Sequence, residues 1–207
     1  MAIPINIEEL LRQRVIESSR IEYKKDWNPE PILHSVTAFA NDFDNLGGGY
    51  ILIGVEEQNG YPRFPLKGLN EDVLDSVQKE LLNKCNLIEP RYIPVIEPAL
   101  IDGQHILVLW VPGGDDRPYK CPVSVYTDKG AKKSEKAYYI RKGSNTIRAN
   151  VLEERELFEI VVINIKRGNV FFCHFRLKSG SSPVLVLNEE TVFYKHYRVG
   201  PGVVIPD

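Results

Sequence analysis

The chain has 207 residues, 43% hydrophobic and 26% charged, a globular composition with length enough to bury a core. No run approaches the ~20 apolar residues of a membrane span, and Met1–Arg14 carries charge where a signal peptide needs an apolar stretch, so a cytoplasmic protein without membrane contact is expected. The net charge of −2 argues against a uniformly basic binder, but residues 117–150 hold nine basic and two acidic side chains, +7, on an otherwise acidic or balanced chain.

Residues 5–18 have helical periodicity. Residues 20–27 read as a strand and its exit, with Ile21 and Tyr23 alternating with Glu22 and Lys24. A helix follows, with Pro31 near its first position and Ile32, Leu33, Val36, Phe39 and Ala40 as a buried stripe. Gly47–Gly49 lead into an unbroken apolar run, Tyr50–Val55, read as a strand buried on both faces. A Pro/Gly-bearing loop through Leu66–Gly68 comes next. Asn70 is placed to cap a helix over 71–84 whose core face is Val73, Leu74, Val77, Leu81 and Leu82. Asp102-Gly103 between two apolar runs, 93–101 and 105–111, predicts a hairpin. Tyr138–Arg141 reads as a short strand and 152–166 as a helix stopping at Gly168. The last segment, rich in Val, Phe and Tyr with turns at 180–183 and 200–201, predicts two or three strands.

Several chemistries find no motif. Gly47–Gly49 stand between a helix and a strand, whereas phosphate-cradling glycines follow a strand and open a helix; close backbone packing is the better reading. No Gly-x-x-x-x-Gly-Lys-[Ser/Thr] occurs. His34, His105, His174 and His196 show no zinc spacing with Cys85, Cys121 and Cys173, and are read as structural. Three widely spaced cysteines suit a reducing compartment.

The basic segment is more informative. Arg117, Lys120, Lys129, Lys132, Lys133, Lys136, Arg141 and Lys142, with Arg148, are interleaved with Tyr119, Tyr126, Tyr138 and Tyr139. Lysines neutralise phosphates without reading sequence, while Arg and Tyr stack on exposed bases. Residues 129–136 read as an exposed hairpin tip. The plainer alternative makes the tyrosines strand core and the lysines a solvated surface.

Four segments in order resemble the Schlafen AlbA-type domain family: Glu17–Lys24; Ala38–Asn41 followed by Gly48–Glu56; Asp116–Tyr119; and Tyr138–Ser144. Residues 42–47 lengthen the link inside the second segment, and position 56 holds Glu where nuclease members have Asp. The resemblance implies an α+β fold, a mixed β-sheet flanked by helices, over residues 1–150. Residues 151–207 then form a helix and strand-rich extension packed on the same domain. It also implies a nucleic-acid-binding protein, a transcriptional regulator acting as a homodimer, whose binding requires no cofactor. The second reading is a divalent-metal-dependent endoribonuclease. There Glu17, Glu22 and Glu56 would hold Mg²⁺ or Mn²⁺, and Lys24 would stabilise the phosphate. Against it stands the alternative that Glu17 and Glu22 form ion pairs with Arg20 or the basic segment. A third reading makes residues 169–207 a protein–protein assembly surface.

Overall fold

The computed structural model describes residues 3–126, 135–167 and 169–176. The chain divides into two compact units, Met1–Glu154 and Arg155–Asp207. The first contains, in order, α1 (Ile7–Arg12), β1 (Ile21–Lys24), α2 (Pro29–Asn41), β2 (Gly49–Ile53), β3 (Glu57–Gln58), β4 (Tyr61–Pro62), α3 (Glu71–Cys85), β5 (Val95–Ile101), β6 (Gln104–Val111), β7 (Lys120–Pro122), β8 (Lys136–Lys142) and β9 (Asn145–Arg148). Helix α4 (Val151–Glu159) crosses the division, and the second unit holds the antiparallel pair β10 (Ile160–Arg167) and β11 (Asn169–Arg176). This is an α+β fold with a mixed sheet flanked by helices. Among the described residues no helix is long and apolar enough to cross a membrane.

The main sheet has the order β1-β2-β6-β5; β1 is parallel to β2, and the other pairs are antiparallel. Every residue of β2 is buried, because its two faces serve two cores. Ile51 and Ile53 join Leu107, Leu109 and Val111 of β6 under α2 and α3. Tyr50 and Leu52 join Ile21, Tyr23, Ile106 and Val108 under α1. The period-two alternation of a strand separates the sets, and it puts Glu22 on the face opposite Ile21 and Tyr23.

Helix α2 carries more than the stripe its periodicity predicts: ten of its thirteen residues are buried. It packs on β8, with further contacts to β2, β6, β7 and β9, so a second antiparallel sheet, β7-β8-β9, covers the side away from the main sheet. Pro29 takes the first helical turn, two residues before the Pro31 start expected from sequence. Gly48 has φ +75°, and a Cβ there would run into the Val111 carbonyl; one at Gly49 would strike the Phe39 ring. These glycines let backbone approach backbone and ring, as expected.

Two sequence expectations need correction. On α3 the buried residues are Leu74, Val77, Leu81 and Cys85, at i, i+3, i+7 and i+11; Val73 and Leu82 are 40% and 41% exposed. The apolar residues of this helix outnumber its buried face, and those flanking the stripe stay at the surface. The helix expected over 152–166 ends at Glu159, where the β-branched run Ile160-Val161-Val162-Ile163 enters a strand. The short helix expected within residues 5–18 is Ile7–Arg12, capped by Asn6, whose Oδ1 accepts from Glu9 N at 3.0 Å. The predicted turns at 180–183 and 200–201 lie outside the described residues.

Phe39 is 1% exposed and shares its core with Ile51, Ile53 and Val36. Phe39→Ala should therefore lower the unfolding free energy by about 3–5 kcal/mol, read by denaturant titration.

Candidate nucleic-acid interface

Strand β1 sends Glu22 into the interior, where it is 5% exposed. A carboxylate there needs cationic partners, and it has two. Lys24 sits two residues along the same strand face, and Arg141 reaches across from β8. The Arg141 guanidinium is itself buried. Its Nη1 donates to Glu22 and, at 2.9 Å, to Thr146 Oγ1. Its Nη2 donates to the Ser18 carbonyl at 2.7 Å. The cation lies 4.8 Å from the Phe39 ring centroid. One residue of the basic segment thus ties β8 to β1, β9 and α2.

The three carboxylates assigned to a metal in the nuclease reading have separate partners. Glu17 Oε1 accepts from Tyr23 N at 2.7 Å, and burial pushes its carboxyl above the usual range, with the charges of Glu22 and Glu57 adding to the rise. Both Glu22 oxygens face cations. Partly buried Glu56 accepts from Lys25 Nζ at 2.7 Å and lies 3.4 Å from Arg63 Nη1; the hydrogen bond from Lys25 holds its carboxyl below the ordinary range. A hard divalent ion needs carboxylate oxygens turned to it together. Here two of the three carboxylates are neutralised by ammonium and guanidinium groups, and among the described residues no group of three His, Cys, Asp or Glu side chains is placed to hold a metal. The set does not fit Mg²⁺ or Mn²⁺ as arranged. Lys24, assigned to phosphate in that reading, is bound to Glu22.

The residues read as phosphate contacts divide in a similar way. The Arg117 side chain is 9% exposed and donates to the Asn41 and Asp42 carbonyls and to Asn45 Oδ1, at 3.2–3.4 Å, beside the Asp42 carboxylate. Arg117 and Arg141 are therefore framework, buried by the polar groups they satisfy. Lys136 Nζ donates to the Leu87 carbonyl at 2.8 Å and pairs with Glu89 at 2.7 Å. Lys120 and Lys142 remain near the surface, 3.9 Å from Glu89 and 3.7 Å from Glu153; Lys142 also lies 4.4 Å from the Phe43 ring centroid. Arg148 pairs with Glu135. Lys129, Lys132 and Lys133 lie outside the described residues. Of the interleaved tyrosines, Tyr119 and Tyr139 are core, Tyr139 stacking on His34 at 4.0 Å, whereas Tyr126 is 63% exposed.

Two features escape the reading of the sequence above. Asn41, expected as a cap or turn residue, is fully buried and satisfied across the fold. Its Nδ2 donates to the Tyr119 and Tyr139 carbonyls at 2.9 and 2.8 Å, and its Oδ1 accepts from Tyr119 N at 2.6 Å. The second is the hairpin β3–β4. Its turn, Asn59-Gly60, has φ of 55° and 81°, the positive pair a two-residue I′ turn requires. The Asn-Gly signal is present, but strands of two residues carry no periodicity.

Residues 17–150 match the family described as Schlafen, AlbA_2. Among solved structures, the chain is similar to the N-terminal domain of a RecG-related protein from Nitrosomonas europaea, at 28% identity and a TM-score of 0.47, covering 62% of this chain and 87% of that one. It is also similar to the DIP2311 protein from Corynebacterium diphtheriae, at 17% identity and a TM-score of 0.42, covering 65% of this chain and 26% of that one. No curated protein matches.

Arg141→Ala leaves Glu22 buried with Lys24 alone and should cost about 3–5 kcal/mol, whereas Glu22→Gln combined with Arg141→Met should cost much less, both read by denaturant unfolding. Glu17 gives a pH signature. Its raised folded value favours the protonated form, so its contribution to stability is full below the ordinary value of 4.5 and is lost as pH rises through the raised one. Glu17→Gln, which keeps an acceptor for Tyr23 N, should be more stable than wild type at neutral pH, with a flatter melting temperature from pH 4.5 upward.

Proposed function

The chain belongs to the Schlafen AlbA_2 family, and on that premise we propose that it binds nucleic acid without cutting it. The observation that carries this reading is the family match over residues 17–150, a span that contains the whole +7 segment. With Arg117, Arg141 and Lys136 engaged inside the fold, the cations assigned to phosphates are Lys120 and Lys142 at the surface and Lys129, Lys132 and Lys133 in the segment between β7 and β8. Such contacts give affinity that is sensitive to salt and indifferent to sequence. A role in transcriptional regulation, as a cytoplasmic homodimer, is a further part of the same proposal.

Cleavage is not part of it. A hydrolytic centre would need Glu22 to leave Arg141 and Lys24, and Glu56 to leave Lys25 and Arg63.

Changing Lys129, Lys132 and Lys133 together to Ala should weaken binding of a fluorescent duplex. It should also reduce the log–log salt slope by up to about 0.9 for each phosphate no longer neutralised. Titrations at several salt concentrations, with Mg²⁺ or Mn²⁺ added in one series, read both effects and the intactness of the probe. An unchanged slope would remove these lysines from the interface, and metal-dependent degradation of the probe would replace binding by hydrolysis.

A further inference from the structure

The hairpin β3–β4 and the turn after α1 enclose an open cleft of about 420 Å³, lined by Arg14, Gln58, Asn59, Tyr61, Arg63 and Phe64. Two of these six residues are cations, two are aromatic, two are amides and none is acidic, on a chain whose net charge is −2. Tyr61 and Phe64 are 41% and 39% exposed, and neither belongs to a core cluster. The cleft is separate from the basic segment and uses none of its residues.

Its walls are held. The Gly60 carbonyl accepts from Glu17 N at 2.7 Å, and Gly60 N donates to Glu57 Oε2 at 2.6 Å. Arg63 N donates to the Glu56 carbonyl at 2.8 Å. A Cβ at Gly60 would approach Ile16 Cγ1 to 3.0 Å, so the turn lies directly against the segment leading into β1. Arg14, with φ 51°, turns the chain after α1 and carries its guanidinium 5.9 Å from the Tyr61 ring centroid. The hairpin is thus anchored at its turn and its exit, and its ordering cost is met before any ligand arrives.

Arg63 is available to an anion. Its contact with Glu56 is long, at 3.4 Å, and its side chain is 59% exposed, while Glu56 keeps Lys25 at 2.7 Å. A phosphate could therefore draw Arg63 away without leaving Glu56 unneutralised.

We propose that this cleft is a subsite for a single-stranded stretch of nucleic acid, with a base stacked on Tyr61 or Phe64 and the backbone phosphates held by Arg14 and Arg63. The inference rests on the nucleic-acid reading above and adds the strandedness of the ligand. Cations beside exposed rings are the combination by which single strands are held: every base has a π-face, and a single strand leaves it open. A duplex turns those faces inward and offers only phosphates, leaving the rings without partners. The amides Gln58 and Asn59 supply donors and acceptors at the base edge. The volume falls within the ~300–1,000 Å³ of small-ligand sites, so a nucleotide-sized group fits.

The test uses the full chain, a fluorescein-labelled oligo(U), its oligo(dT) counterpart and a duplex of equal length, followed by anisotropy. Tyr61→Ala should bind oligo(U) about 5- to 150-fold more weakly, the range for removing the platform under one stacked base. Tyr61→Phe, which keeps the ring, should bind as wild type does. Arg14→Gln with Arg63→Gln should weaken oligo(U) binding and lower its salt slope by up to about 0.7 for each phosphate released. Duplex affinity should be unchanged in all three, and their melting temperatures should match wild type because every substituted side chain is exposed. Photocrosslinking of a 4-thiouridine oligonucleotide should label Tyr61 or Phe64. The cleft proposal fails if Tyr61→Ala keeps wild-type oligo(U) affinity while the triple lysine variant loses it, and nucleic-acid binding then stands. If wild type binds none of the three probes, the functional reading itself fails. Displacement of oligo(U) from wild type but not from Tyr61→Ala by an acidic peptide of equal charge would overturn the proposal in favour of a protein partner.

Discussion

A helix buried on several sides cannot leave polar groups near its ends to water, and α2 is such a helix. With the main sheet on one side and β7-β8-β9 on another, the polar groups around it must be satisfied by whatever those sheets supply. Asn41 does this at the C-terminal end, where its side chain makes hydrogen bonds to the backbone at Tyr119 and Tyr139. Arg117 does it for the Asn41 and Asp42 carbonyls. Arg141, lying against Phe39, joins β8 to Glu22 of β1 and to the Ser18 carbonyl. Remove any of these and a buried donor, acceptor or charge is left without a partner, which costs more than the contact itself contributes. The two sheets are tied to α2 by this polar seam as well as by the apolar core.

That seam changes the meaning of the charged residues in the family segments. Glu22, Arg117 and Arg141 look like chemistry when read along the chain: a carboxylate for a metal and arginines for phosphates. In the fold they neutralise one another or satisfy carbonyls, and their burial keeps them from solvent and from any polyanion. The electrostatics available to a ligand therefore lie in side chains that escape the seam. Among the described residues these include Lys120 and Lys142 of the basic segment and, on different elements, Arg14 and Arg63.

The β1 neighbourhood shows how one strand can separate these roles. Its alternation turns Ile21 and Tyr23 to the core under α1 and Glu22 with Lys24 to the side of Arg141. Just before it, Glu17 donates its backbone N–H to the β3–β4 turn and accepts from Tyr23 N through its side chain. Glu17 is thus a fastener between β1 and the cleft-forming hairpin. Its raised carboxyl reflects the burial that this position imposes.

The sequence by itself determined the order and type of most elements in the first unit, because these depend on local pattern. The unbroken apolar run of β2 marked a strand covered on both faces, Asp102-Gly103 marked the β5–β6 hairpin, and four short segments in order marked the family. It misleads where local pattern is degenerate. Residues 160–163 are apolar enough for either period, and their β branching decided for strand. Val73 and Leu82 flank the true stripe of α3 closely enough to pass for it. What only the tertiary structure decided is who meets whom. Glu22 and Arg141 are 119 residues apart, and Asn41 reaches partners 78 and 98 residues away. A lone charge in a sequence carries no mark of whether it will face water, an ion or an opposite charge, since the free energy that decides this comes from burial and pairing set by chain segments far away. The cleft was hidden for the same reason: Arg14 and Arg63 become neighbours only when the Asn59-Gly60 turn folds back against the residues that precede β1.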